Sequence, residues 1–318
     1  MISDAKIQEI VSRVVTEVMG SGLTAPQAGY AAANAGANAV ANAVANAVTG
    51  VNAIAGSEAA GSAYDSELRD ITEINLKEQL LVPNPKNAAE YMRLKAKTPA
   101  RLGCYRAGPR YKTQTLLRFR ADHAVAMDAV FTDVPDSFIE SAGLFGVQSR
   151  CSTRDEHLTR PDLGRQLSDD ALAEIKAKCK HNPKIQIYAS DGLSSTAIVA
   201  NLNLVMPSIL QGLKSYNLEA GTPFFLKFGR VGAMDAVTEA LGAEVTVVLI
   251  GERPGLATGE SMSAYMTYRG TVGMAEAGRT VVSNIHSGGT PAVEAGAHIA
   301  GIINEIIKQK CSGLDLKL

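Results

Sequence analysis

Tryptophan is absent from these 318 residues, and aromatic side chains make up only 5%, so platforms for stacking nucleobases are not what this chain is built around. An excess of either charge is missing too. Lys and Arg number 31 against 32 Asp and Glu, a formal net charge of -1, so no global field draws in nucleic acid or an anionic membrane. Cys104, Cys151, Cys179 and Cys311 are scattered without a C-x-x-C pair, which argues against a zinc site or a disulfide framework and for a reducing cytoplasm. The sequence carries no signal-peptide pattern and no uninterrupted apolar run of about 18 residues, so neither secretion nor membrane spanning is expected. Three fingerprints are also lacking: G-x-G-x-x-G after the first strand of the α/β part, G-x-x-x-x-G-K-[ST], and G-x-S-x-G. Their absence counts against dinucleotide, nucleoside triphosphate and serine-nucleophile chemistry, and leaves Ser194, Ser195 and Ser287 as helix caps.

What is present is a globular composition, 46% hydrophobic and 20% charged, with room for one large core or two modest ones plus extensions. Ile7, Ile10, Val11, Val14, Val15 and Val18 share one face of a 3.6-residue period, opposite Lys6, Glu9, Arg13 and Glu17. Residues 1–20 therefore read as an amphipathic docking helix, spanning 3–19. Residues 21–64 collapse to Ala, Asn, Val and Gly, with Asn34, Asn38, Asn42 and Asn46 spaced by four. Alanine favours helix while Asn and Gly oppose it, so this linker is either a narrow helix or a tether.

Residues 65–164 carry helical patterns with no convincing strand, including helices at 88–97 and 113–129, and predict a helical subdomain. Arg101, Arg106, Arg110, Lys112, Arg118 and Arg120 concentrate positive charge there, either as a solvated face or as a contact for phosphate or a partner. From residue 165 to 318 helices and strands alternate, with helices at 169–179, 194–214, 234–241 and 292–310 and strands at 185–190, 223–228, 244–250 and 280–285. That rhythm predicts an α/β domain with a Rossmann-like parallel sheet.

The strand at 244–250, EVTVVLI, has almost no polar relief, as suits a strand covered on both faces. It runs into Gly251-Glu252-Arg253-Pro254-Gly255, whose glycines admit a ligand or another backbone. Ligands of open α/β sheets bind at the carboxyl ends of strands, so Glu252 is placed to accept hydrogen bonds there, unless it merely pairs with Arg253 or another surface cation. Val231, after Gly229-Arg230, offers a carbonyl or an apolar wall beside the neighbouring strand. His286-Ser287-Gly288-Gly289 forms a second loop of the same kind. Asp155-Glu156-His157-Leu158-Thr159-Arg160 matches a cobalt-ligating D-x-H-x-x-G motif except that Arg160 replaces the glycine, and it precedes the α/β part, so it reads as coincidence. His123 and His181 read as surface residues and His298 as part of an alanine-rich helix, none with a metal-ligand partner.

Arg106-Ala107-Gly108-Pro109-Arg110, Leu158-Thr159-Arg160-Pro161-Asp162-Leu163-Gly164-Arg165, Ser190-Asp191-Gly192-Leu193-Ser194, Gly221-Thr222-Pro223-Phe224-Phe225, Gly251-Glu252-Arg253-Pro254-Gly255 and Ser283-Asn284-Ile285-His286 follow one another in an order that resembles one family. It is the small (light) subunit of ethanolamine ammonia-lyase. The resemblance runs from about residue 100 to the C-terminus and is not carried by residues 21–64. It implies an adenosylcobalamin-dependent lyase that converts ethanolamine to acetaldehyde and ammonia by a radical mechanism, inactive without a large, barrel-shaped subunit that holds most of the substrate. Its cofactor contacts carry over to Val231 in Gly-Arg-Val, to Glu252 in Gly-Glu-Arg-Pro-Gly, and to Val281, where some members have cysteine and valine offers only a backbone or apolar contact. The same resemblance implies that the cofactor keeps its own benzimidazole on cobalt, so that the chain supplies neither a metal ligand nor a catalytic acid or base. It further implies a cytoplasmic enzyme packaged in a bacterial microcompartment, with residues 3–19 docking on a shell protein. The rival readings are a non-catalytic scaffold of such a compartment and a stand-alone nucleotide-binding enzyme, the latter opposed by the missing fingerprints.

Overall fold

The computed structural model describes residues 70–318, which fall into two compact units, residues 70–123 and Ala124–Leu318. The expected helix at 3–19 and the linker at 21–64 lie outside the described residues. In the smaller unit, α1 (Ala88–Ala96) starts where the Asn87 side chain accepts from the Glu90 amide at 3.0 Å, an N-cap that satisfies one orphan donor. A two-residue turn, Gly108-Pro109, joins β1 (Arg106–Ala107) to β2 (Arg110–Tyr111), with Gly108 at φ 60°. Helix α2 (Thr113–Phe131) follows. The basic residues of this stretch divide their work: Arg118 donates to Asp122 at 2.9 Å and to the Ile74 carbonyl at 2.8 Å, Arg101 also pairs with Asp122, and Arg106 lies over the Tyr111 ring. Half of the six basic residues are thus engaged inside the unit.

The larger unit is α/β. Strands β3 (Phe145–Gln148), β4 (Ile185–Ser190), β5 (Phe224–Lys227), β6 (Val245–Gly251), β7 (Met262–Tyr268) and β8 (Thr280–Ile285) form one sheet in the order β3-β5-β4-β6-β7-β8. The first four are parallel; β7 runs antiparallel to both β6 and β8. Helices α3 (Asp136–Ser141), α4 (Arg154–Thr159), α5 (Asp169–Lys178), α6 (Ser195–Ser215), α7 (Ala233–Leu241) and α8 (Ala292–Gln309) complete the unit. Every residue of β4 and β6 is buried, as the apolar run in β6 requires. On one face Ile187, Val247 and Leu249 meet Ile198, Leu202 and Ile209 of α6 and Ile299 and Ile303 of α8. On the other, Tyr188 and Val248 meet Ile175 of α5 and Met234 and Val237 of α7.

Helix α6 is, by length and composition, long and apolar enough to cross a membrane, although Ser, Asn, Pro and Gln interrupt its apolar run. It packs on the sheet and on α8, where Gly296 lets the two helices approach so closely that a Cβ would strike Ser208. That is how a core helix behaves.

Four strands depart from the sequence expectation. The stretch 65–162 does contain strands, the β1–β2 hairpin and β3, the latter an edge strand in which only Val147 is buried, so four residues that include Gly146 leave almost no pattern to see. Strand β7 is not among the predicted strands, since Met262-Ser263-Ala264 lacks β-branched residues at its start. Its insertion means that β8 reaches its parallel alignment with β6 through two antiparallel steps and not through a helical crossover.

Candidate functional site

The register across β6, β7 and β8 aligns Gly251 with Met262 and Met262 with Ile285, so the loops after β6 and β8 leave the sheet at the same edge. This is also the carboxyl edge of the parallel strands, where open α/β sheets hold ligands. Gly251 is glycine because of the chain itself. A Cβ there would collide with the carbonyl oxygens of Ser194 and Asp191, while the Leu193 amide donates to the Gly251 carbonyl at 3.0 Å. The close approach anticipated for this loop is therefore made by the β4–α6 turn. Ser194 caps α6, accepting from the Ala197 amide at 3.1 Å, and locks the same turn to the Gly259 carbonyl.

Beyond Gly251 the chain turns outward, with the Glu252 amide donating to the Ser261 carbonyl at 2.9 Å. The half-buried Glu252 carboxylate is held by a tyrosine, not by its neighbour Arg253, which stands exposed: the Tyr265 hydroxyl donates to Glu252 Oε1 at 3.1 Å. Tyr265 lies opposite Val248 on one side and Val281 on the other. Val281 is 48% exposed, although it sits inside a strand, because α8 packs on the opposite face of β8. Val231, in the turn after β5, packs on the same apolar cluster as Tyr265. Its carbonyl already accepts from the Met234 amide at 3.1 Å at the start of α7, so Val231 presents chiefly an apolar wall.

Two of the three residues singled out by sequence share a neighbour, while Val231 stands apart in the turn after β5, with β4 and β6 between its strand and β7. Tyr265 meets Glu252 through a hydrogen bond and Val281 through strand register. Sequence reasoning missed Tyr265 because it missed β7, although the alternation Ser263, Tyr265, Thr267 was a usable period-two signal. Burial, and then the Glu252 charge, push the Tyr265 phenol up to about 12, so it remains a protonated donor. Two residues away on the same face, the buried Ser263 hydroxyl has no hydrogen-bond partner among the described residues.

A second group of polar residues builds the edge from within. Asp191, fully buried after β4, accepts from the Phe228 amide at 2.8 Å and meets Arg154 at 3.3 Å. Burial pushes its carboxyl up to about 6, against the opposing pull of Arg154. His157 is wholly buried, contacts the Gly192 carbonyl through Nε2 at 2.7 Å and stacks on Phe228, and burial holds its imidazole down at about 4. Arg230 donates to the His157 carbonyl. The D-x-H stretch thus does structural work, tying α4 to the β4 and β5 loops. On the α7 side Arg279 and Asp235 form a buried ion pair at 2.6 Å. No group of three or more His, Cys, Asp or Glu among the described residues is arranged to hold a metal ion.

Residues 88–317 match the family model of the ethanolamine ammonia-lyase light chain (EutC). The chain is 58% identical over 254 residues to the ethanolamine ammonia-lyase small subunit of Clostridium tetani, covering 80% of this chain and 86% of that one. It is 50% identical over 320 residues to the small subunit of Fusobacterium nucleatum, covering 100% of both, and 54% identical over 253 residues to that of Listeria monocytogenes, covering 80% and 86%.

Proposed function

The chain belongs to the ethanolamine ammonia-lyase light-chain family, and from that membership we propose that it is the cofactor-binding small subunit of an adenosylcobalamin-dependent lyase converting ethanolamine to acetaldehyde and ammonia. Relatives named as subunits of ethanolamine ammonia-lyase place the chain in a lyase, and a small subunit implies a large one. When bound, the cofactor supplies the radical chemistry, with its own base retained on cobalt; this chain's residues bind, orient and enclose it. The observation that carries this reading is the meeting of Glu252 and Val281 at Tyr265 on the face of the sheet's carboxyl edge that Val231, in the turn after β5, also borders.

The residues present fit such a group. A corrin presents an apolar rim studded with carboxamides, and this edge offers apolar Val231 and Val281 beside a carboxylate with one oxygen committed to Tyr265. All of these lie in residues 165–318, which we take as the cobalamin-binding domain with β4 to β6 as a Rossmann-like layer, residues 65–164 being the preceding subdomain, which lends β3 to the edge of that sheet. The large subunit closes the other side of the cofactor and holds ethanolamine, so this chain alone has no turnover.

Co-purification with the large subunit, followed by cobalamin absorbance and ethanolamine turnover, tests the assignment, each chain also being assayed alone. The pair should take up cofactor and turn over, and Glu252→Ala should weaken cofactor binding by roughly 1–3 kcal/mol through the donors it leaves unpaired. A pair that assembles but takes up no cobalamin would return the chain to the scaffold reading. We further propose that the enzyme is cytoplasmic and packaged in a microcompartment through residues 3–19 carried on the 21–64 linker. In the same preparation, removal of residues 1–20 should abolish co-assembly with shell protein and leave turnover intact; unchanged encapsulation would refute that role.

A further inference from the structure

Tyr265 touches two of the three expected cofactor contacts, Glu252 and Val281, yet neither is tied to it by sequence. Its hydroxyl is committed as a donor to Glu252 Oε1 at 3.1 Å. Glu252 Oε2 has no partner among the described residues, and the phenol oxygen keeps its own lone pairs. The ring is fixed between Val248 and Val281 and backed by the α5–α7 side of the core. A second carboxylate, Glu276, acts on the same phenol, so the surroundings of Tyr265 are acidic.

We propose that Tyr265 is a positioning residue that fixes the Glu252 carboxylate so that Oε2 and the phenol oxygen form a paired acceptor for the N–H donors of a primary carboxamide on the corrin rim. This inference rests on the reading of Glu252 as a cofactor contact. Two acceptors beside a fixed negative charge suit an amide N–H₂, which has two donors, and repel an anionic group such as a carboxylate or the cofactor's phosphate. Because Tyr265 spends its only proton on Glu252, it has none to offer an anion.

The test uses the complex with the large subunit and cyanocobalamin affinity from absorbance titration, for wild type, Tyr265→Phe, Glu252→Ala and the double variant. Tyr265→Phe keeps the ring and its packing, and should weaken binding about tenfold, the usual worth of a hydrogen bond to a charged group. In the Glu252→Ala background the same change should cost clearly less, since only the phenol's own acceptor is then left to lose. A readout that packing alone would not move is selectivity among cobalamin monocarboxylic acids, in which one carboxamide is replaced by carboxylate. Wild type should reject one of these isomers strongly, and both single variants should lose that rejection. Glu252→Asp, which keeps the charge but withdraws it from the phenol, should behave as Tyr265→Phe does.

If Glu252→Ala binds every ligand as wild type does, the cofactor reading of Glu252 fails. If Glu252→Ala weakens binding but Tyr265→Phe costs the same in both backgrounds, or nothing in either, the positioning role fails while the cofactor reading stands.

Discussion

His157 and Asp191 lie on one buried edge of the sheet and titrate in opposite senses. His157 is held at about 4 against an ordinary 6.5, so the native state binds its proton less readily than the unfolded chain does, and stability falls as pH drops from about 6.5 towards 4. Asp191 is raised to about 6 from 3.8, so its favourable contribution is complete below 3.8 and is lost as pH rises through about 6. Between about pH 4 and 6 the two slopes oppose each other. Asp191→Asn should therefore lose stability more steeply than wild type on acidification across that window, and His157→Gln less steeply. Urea midpoints measured at half-unit pH steps would decide it; parallel pH profiles for all three proteins would mean that these groups are not protonated as their burial implies.

Among the elements, α7 and β8 are joined by a single buried ion pair. Arg279, the residue before β8, reaches Asp235 in the first turn of α7 with both side chains almost fully enclosed. Burial raises the Asp235 carboxyl despite its partner, which marks a site where desolvation nearly offsets attraction. Removing one partner should thus cost more than removing both. Arg279→Leu is expected to destabilise by roughly 3–5 kcal/mol, and the Asp235→Leu/Arg279→Leu pair by clearly less, in urea denaturation. Equal losses would show that packing, not an orphaned charge, sets the cost. The elements themselves were largely legible: Ile185–Ser190 and Thr280–Ile285 have the bounds their patterns predict, and α6 starts after the Ser194 cap that sequence placed there. What escaped were the β1–β2 hairpin, β3 and β7, whose identity depends on a neighbouring strand, since two or four edge residues or a Met-Ser-Ala start acquire strand character only by pairing. Tyr265, which touches Glu252 and Val281, carried only the weak period-two signal of Ser263, Tyr265 and Thr267, and its place at the site comes from the register of β7.

At the scale of the whole molecule, the two units are held by different forces. Ala124–Leu318 encloses two apolar clusters, whereas among residues 70–123 the buried side chains are Lys95, Thr115 and Asp122, and no apolar side chain is buried. That unit instead leaves Leu94, Leu102, Leu116 and Leu117 exposed and relies on caps and on the Arg118–Asp122 pair. A largely buried ion pair adds little net stability once its desolvation is counted, and each leucine fully buried adds about 1.5–3 kcal/mol. A small subunit works beside a large one, and covering these leucines is the most direct way for assembly to stabilise this unit. Hydrogen exchange should therefore find the amides of α1 and the first half of α2 opening readily in the isolated chain, and at least about tenfold slower in the complex, while β4 and β6 are slow in both. Protection of α1 and α2 that is unchanged on assembly would place the large subunit elsewhere and leave the exposed leucines facing solvent.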